Sequence, residues 1–430
     1  MTWTNWARSQ RADPRWVHAP TTIDEVRRAL EQVRQRGGAV RPLGSGHSFS
    51  AAARSDEAQL TVSALRGVVS LDPELRRVTV LAGTTIRELS ALLAERGLAL
   101  DTLGDIDRQT IAGAISTGTH GTGIRHQSIG ASVVAATLVT ADGSVLRISE
   151  TERPELLPAV RLGLGALGVL VDVTVQCVPA FALEAIETAV QLEAVLEDWM
   201  GLLQRTDHFE FFWFAATALA ATKSNTRVDG PLAPRSAVGR FIDERLLNDI
   251  GHRALLTLGA LAPASARAVN ELSARSMSRG RFVEPSHQVF VAKRTVRFRE
   301  LEYGIPVEAL PEALREIDSA LRRARLVPTF PFEIRAIGAD DALLSTANGR
   351  DTAYIAAHRW WREDPRPLFE LVEPILLAHD GRPHWGKHHS LRAAQLAERV
   401  PGFATFLAVR DELDPERTFA SDWTRRVLGA

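Results

Sequence analysis

The chain has 430 residues, 45% hydrophobic and 24% charged, with 51 Lys plus Arg against 52 Asp plus Glu. That length exceeds the ~250–300 residues at which single cores stop growing, so two domains are expected, and the composition excludes a disordered or collagen-like chain. A net charge near zero excludes a global field that gathers nucleic acid or anionic lipid, and a single cysteine, Cys177, excludes an intrachain disulfide or a multi-cysteine metal site.

The opening MTWTNWARSQRADPRW lacks the apolar core of ~7–15 residues that a secretory signal needs, so a cytoplasmic location is expected. The longest apolar stretches, around 162–171 and 254–264, are shorter than the ~20 residues of a membrane span. Residues 21–37 place Ile23, Val26, Leu30 and Val33 at helical spacing, with Thr22 as cap and Gly37 as stop. AVRPLGSGHSFS then reads as a strand ending in a glycine turn, RRVTVLAG as a strand, and IRELSALLAERGL as a helix. Residues 133–149 predict a hairpin turning at Asp142-Gly143, and VLVDVTVQCVPA a strand closed by Pro179. A domain boundary is placed there, giving units 1–180 and 181–430. The second unit reads as α+β, with long helices between 190 and 275, an aromatic core strand Phe209 to Phe214, and a later strand FPFEIRAIG. The basic cluster Arg322, Arg323 and Arg325 reads as a solvated helix face.

Three glycine patterns bear on cofactor binding. Gly163, Gly165 and Gly168 spell G-x-G-x-x-G, but a strand follows them, whereas a Rossmann turn needs strand, glycines and then helix. The other two loops are Arg41-Pro42-Leu43-Gly44-Ser45-Gly46-His47-Ser48 and the stretch from Thr110 to Gly123, which carries Gly113, Ser116, Thr117, Gly118, Thr119, His120 and Gly121. Bare amides and hydroxyls in successive turns can enclose a diphosphate without a lysine. Either loop alone is commonly no more than a tight turn.

Paired, these loops resemble the FAD-binding domain of the vanillyl-alcohol oxidase family, in particular its sugar-lactone and alditol oxidase branch, and further motifs agree in order to the carboxyl terminus. The resemblance implies an α+β, two-domain fold: a PCMH-type FAD-binding domain followed by an α+β substrate (cap) domain. It implies covalent FAD, joined through the flavin 8α carbon to His47, and a structural role for His120 within the loop. Val173 completes the cofactor-side set.

On the substrate side, alternation in FPFEIRAIG points Glu333 and Arg335 to one face of a strand, where a carboxylate and a guanidinium suit a polyhydroxylated ligand. By itself, such a pair is usually a surface ion pair. The resemblance makes Glu333 and Arg335 the active-site pair, and His358 and Lys387, the latter in Arg382-Pro-His-Trp-Gly-Lys387, the substrate-facing histidine and lysine. His358 is the expected base, with Lys387 and Arg335 stabilising negative charge. His384, His388 and His389 have no cysteine or H-E-x-x-H partner, so no metal is expected.

The implied activity is oxidation of a CH–OH group of an L-gulono-1,4-lactone-type aldonolactone, with electrons passing to O2 or another acceptor. Val296-Arg-Phe298, Leu301-Glu-Tyr303 and the Arg382-to-Lys387 motif resemble gulonolactone dehydrogenases, whereas Glu333-Ile-Arg-Ala-Ile-Gly-Ala-Asp-Asp341 is closer to alditol oxidases. A polyol substrate such as xylitol therefore stays open. So do an NADPH-dependent enol-ether reductase sharing the FAD domain and a flavin-binding protein without catalysis. The acceptor is left open too, with Gly118 suggesting an open path to the flavin. The expected partners are a small-molecule sugar lactone or polyol and O2 or another electron acceptor, with no nucleic acid and no membrane span.

Overall fold

In the computed structural model, which describes residues 2–236, 256–257, 265–276, 280–292 and 296–430, the first helix runs Ile23–Gln35. Thr22 caps it by accepting from the Glu25 amide, and Asp24 and Glu25 lie in its electropositive first turn. Gly37, at φ +62°, takes the chain out of the helix through the left-handed region. A capping box of Thr85 and Glu88 starts the predicted second helix, Ile86–Ala94.

These helices pack on two small sheets. Trp16–His18, Ala58–Thr61 and Val40–Leu43 form a parallel sheet in that spatial order. Val145–Ser149, Val133–Val139, Val169–Gln176, Arg77–Leu81 and Val68–Asp72 form an antiparallel one. The predicted hairpin lies at its edge, with the Asp142 carboxylate accepting from the Ser144 amide and Gly143 at φ +84°. Cys177 is buried beside it, and burial pushes its thiol up to about 11.

The chain then builds an eight-stranded antiparallel sheet in the order Gly280–Pro285, Ala182–Gln191, Leu219–Val228, His208–Trp213, Phe332–Ile337, Thr352–Trp360, Phe298–Pro306, Arg382–Pro383. Its faces differ because the side chains alternate. Phe209, Phe211, Trp213, Phe332, Ile334, Leu301 and Tyr303 pack in one cluster with Leu314 and Ile317 of the helix Leu310–Ala324 and Val372 of the helix Arg366–Ala378. The aromatic strand is thus core, as expected. Glu210, Glu333, Arg335, Glu300 and Glu302 occupy the intervening positions and meet the first sheet system instead. Of the long helices expected between 190 and 275, the described residues contain Leu192–Glu197, Trp199–Arg205 and Ala266–Ser276, interrupted by strands. The apolar stretch 254–264 lies outside the described residues except for 256–257.

The boundary near residue 180 separates the sheets but not the cores. Trp385, Leu396, Phe403, Phe406, Phe419 and Trp423, from the last fifty residues, pack in the same cluster as Val26, Leu60, Ile111 and Val171. The chain end returns to the first domain because its helices Ala393–Arg399, Phe403–Leu413 and Asp422–Leu428 carry an apolar face that the large sheet, covered by its own helices, has no room to bury.

Candidate active site

The two glycine loops lie back to back. Ser45 Oγ accepts from the Thr110 amide at 3.1 Å, and Thr110 Oγ1 caps the helix Ile111–Ser116 by accepting from the Gly113 amide at 3.1 Å. A Cβ on Gly44 would stand 2.4 Å from Thr110 Oγ1 and 3.4 Å from Gly113 Cα, so glycine permits the approach. Between and beside the loops lies a cavity of about 940 Å³, lined by Arg41 through Ser48 and by Thr110, Gly113, Ser116 and Thr117. Gly163, Leu164, Gly165, Leu167 and Gly168 form its far wall. The set aside G-x-G-x-x-G run therefore belongs to this site, not as a Rossmann turn but as a third bare loop, with Leu164 and Gly165 at φ +53° and +59°.

Arg41 ties the walls together. Its guanidinium is buried and donates to the carbonyls of Ala52, Leu164, Gly165 and Phe419, and burial lowers it to about 10. Every guanidinium nitrogen donates to main chain, so Arg41 shapes the cavity it lines. Three expected cofactor residues line neither this cavity nor the next. Val173 is fully buried in the five-stranded sheet, its position paired with those of Val80 and Ala136. A Cβ on Gly118 would meet Leu162, and one on Gly121 would meet Thr102 and Leu103.

His47 joins the first cavity to a second. Its Nδ1 is buried with no hydrogen-bond partner, its ring stacks on Trp6 at 6.0 Å, and burial followed by Arg108 lowers its pKa, leaving a neutral imidazole. A glycine-walled cavity with one orphaned, uncharged imidazole nitrogen fits a dinucleotide attached at that histidine.

The second cavity, about 640 Å³, shares His47, Ser48, Gln109 and Thr117 with the first and continues to Thr119, His120, Asp105, Glu300, Glu302, Glu333, Arg335, His358, His384 and Lys387. All four residues expected on the substrate side come together here. Lys387 is placed by its turn: His384 N–H donates to Glu302 O and His388 N–H to Glu300 O, extending the sheet edge, while Phe49 N–H donates to Gly386 O at 2.7 Å. That last bond fastens the lysine turn to the chain just beyond His47.

The charges are more elaborate than an isolated Glu333–Arg335 pair. Arg335 contacts Asp105, Glu333 and, through Nε at 3.0 Å, Glu210. Burial opposes its charge, but these carboxylates outweigh burial and hold it well above its usual range. Lys387 Nζ lies 2.6 Å from Glu300 and 3.4 Å from Glu302. Burial again opposes, the two glutamates win, and the ammonium is stabilised; in return Lys387 holds Glu300 down at about 2 against its own burial.

His358 lines the second cavity, but its Nε2 is covered. Nδ1 donates to the Pro331 carbonyl at 2.9 Å, and Nε2 has no exposed surface, facing Glu300 at 3.5 Å and Glu333 at 3.7 Å. Side-chain atoms of His120, Glu302 and His384 also lie within 4.8 Å of one another, a spacing that can hold a metal. His384 Nδ1, however, accepts from the Gly386 amide at 3.0 Å, which leaves the proton of its neutral ring on Nε2 and makes that nitrogen a donor rather than a ligand.

Sequence reasoning missed Glu300, Glu302, Glu210 and Asp105. The first two were findable by the argument that found Glu333 and Arg335: Glu300, Leu301, Glu302, Tyr303 alternate charged and apolar on one strand.

Residues 14–149 match the model of an FAD-binding domain, and residues 173–427 match that of D-arabinono-1,4-lactone oxidase. The L-gulono-1,4-lactone dehydrogenase of Mycobacterium tuberculosis is 41% identical over 427 residues, 99% of both chains. The L-gulonolactone oxidase of Bos taurus is 33% identical, covering 99% of this chain and 97% of its own. Among solved structures, a solvent-stable cholesterol oxidase aligns over 100% of this chain and 97% of its own with a TM-score of 0.83 at 18% identity, a likeness of fold. Fold and FAD domain define a flavoprotein oxidoreductase of the PCMH-type, two-domain class. Within that class, the chain belongs to the D-arabinono-1,4-lactone oxidase family.

Proposed function

We propose that this flavoprotein oxidises a CH–OH carbon of an aldono-1,4-lactone of the L-gulono type, in the cytoplasm, with FAD held covalently through its 8α carbon on His47 and O2 or another acceptor taking the electrons. The observation that carries the reading is that the cavity holding Glu333, Arg335 and Lys387 begins at His47 and Ser48, which also line the glycine-walled cavity. The names of the relatives that align end to end support a lactone over a polyol.

Bound FAD supplies the acceptor for the hydride of the carbinol carbon. The chain's own residues orient and deprotonate the substrate. Four carboxylates face two cations along the second cavity, which favours a neutral polyhydroxylated ring whose hydroxyls donate to Glu333 or Asp105. Lys387, one-fifth exposed, presents an ammonium that stabilises negative charge developing on the substrate oxygen. A proton reaching His358 Nε2 arrives by way of Glu300 or Glu333, the two carboxylates that screen it.

Anaerobic mixing with L-gulono-1,4-lactone should bleach the flavin band, and xylitol should not. Recolouring in air would mark O2 as an acceptor. Bleaching by xylitol alone, or by neither, would overturn the substrate assignment. Acid-precipitated protein should stay yellow, and His47→Ala should release its flavin on precipitation; a colourless wild-type pellet would refute the covalent bond.

A further inference from the structure

Lys387 is one of only three lysines in a chain that carries 51 Lys plus Arg. Unlike an arginine, a lysine in a partly enclosed site changes protonation with its neighbours, so the groups around it decide whether it is a cation at all. Two glutamates hold it, but they differ. Glu302 faces His120, with Oε1 3.4 Å from Nε2, at the end of the cavity formed by the second glycine loop. Glu300 reaches in both directions: Oε2 to Lys387 at 2.6 Å and Oε1 toward His358 Nε2 at 3.5 Å. It does so because of register: Glu300 pairs directly with His358 across adjacent strands, while the turn after Arg382–Pro383 lays Lys387 over the same strand. Nδ1 of His358 donates to Pro331 O, and Nε2 faces Glu300 and Glu333. Glu333 is in turn committed to Arg335.

We propose that Glu300 is a positioning residue for the reaction: it fixes Lys387 as an ammonium facing the substrate and, through the same carboxylate, couples that charge to the proton state of His358. No bond to substrate is assigned to it. When the hydroxyl proton moves onto His358, the imidazolium and the ammonium share Glu300 as counter-ion. Lys387 then becomes easier to deprotonate, and charge in the pocket is redistributed without a group entering or leaving. The charges that bear on this pair are Glu302, Glu333 and, through Arg335, Asp105 and Glu210, together with His384 and His120; Phe49 packs under the ammonium at 5.2 Å.

The inference rests on the lactone-oxidising reading for its kinetic part only. With three lysines, the titration of Lys387 can be followed directly in the holoenzyme by pulse labelling with an amine-reactive reagent at a series of pH values and peptide mass spectrometry. Glu300→Gln should lower the labelling pKa of Lys387 by about one unit, so that labelling on the acid side of the transition is about tenfold faster, and Glu300→Asp should restore most of the wild-type value. The alkaline limb of the pH profile of anaerobic flavin reduction should move down with it in Glu300→Gln, with kcat changing more than KM. An unchanged Lys387 titration in folded, flavin-loaded Glu300→Gln overturns the proposal. So does a shift in labelling with the pH profile of reduction unmoved. Should the lactone fail to reduce wild-type flavin while the labelling shift appears, the substrate reading falls and the assignment of Glu300 to Lys387 stands.

Discussion

Gly44→Ala probes the contact between the two glycine loops that encloses the cofactor cavity. The added Cβ would lie 2.4 Å from Thr110 Oγ1, and that hydroxyl has little room to yield, because it accepts from the Gly113 amide at 3.1 Å as the helix cap. Backing away is blocked as well, with Gly113 Cα at 3.4 Å. Displacing the cap costs about 1 kcal/mol and overpacking about 1–3 kcal/mol, so a loss of about 2–4 kcal/mol is expected. Thr110→Ala alone loses the cap, about 1 kcal/mol. In the double variant the clashing oxygen is gone and the cap is lost only once, so the total should fall short of the sum by about 2–4 kcal/mol. Equilibrium urea unfolding of the four proteins gives the cycle, and flavin content per chain reports the cavity itself. A stable Gly44→Ala, or additive losses, would show that the loops do not depend on the absence of a side chain at Gly44 for their close approach.

Arg335→Met should cost about 3–5 kcal/mol, because it leaves Asp105, Glu210 and Glu333 close together in a largely buried site with Lys223, 3.4 Å from Glu210, left to offset them. Those carboxylates would then have folded pKa values above their unfolded ones, a contribution relieved as pH falls, so urea midpoints of variant and wild type should converge between about pH 8 and pH 5; a constant gap would sink the idea. In the wild type the sign is opposite for the buried histidines. Burial, first among the causes, holds His208, His384 and His389 at about 3 and His388 at about 4. Below their unfolded value of about 6.5 the unfolded chain takes up protons that the folded chain refuses, so stability drops from about pH 6.5 toward pH 4, by roughly 1 kcal/mol per histidine at pH 5.5. His389→Leu should reduce that slope by one histidine's share, and equal wild-type midpoints at pH 7.5 and 5.5 would contradict it. Finally, the open-chain aldonate, an anion, should compete with its lactone at least tenfold more weakly than the uncharged ring would, given four carboxylates to two cations in the cavity; inhibition by aldonate at lactone-like concentrations would show that Lys387 or Arg335 is available to it.

What the sequence by itself determined is local. Helical spacing with Thr22 and Gly37, the hairpin at Asp142-Gly143, the glycine loops around His47 and Thr110, and the same-face relation of Glu333 and Arg335 all follow from periods, caps and turn chemistry within about fifteen residues. Tertiary structure decided everything that depends on which distant segments touch. The run Gly163 to Gly168 looked irrelevant because its order with respect to strand and helix was wrong, yet Arg41 draws it to the cavity from over a hundred residues away. Val173 and Gly118 lie near the site in sequence but line neither cavity. Glu300 and Glu302 gained their meaning only when the turn carrying Lys387 was laid along their strand. His358 was recognisable as a site residue, but its retreat behind two carboxylates is a matter of strand register, which a one-residue slip would reverse and which local sequence does not encode.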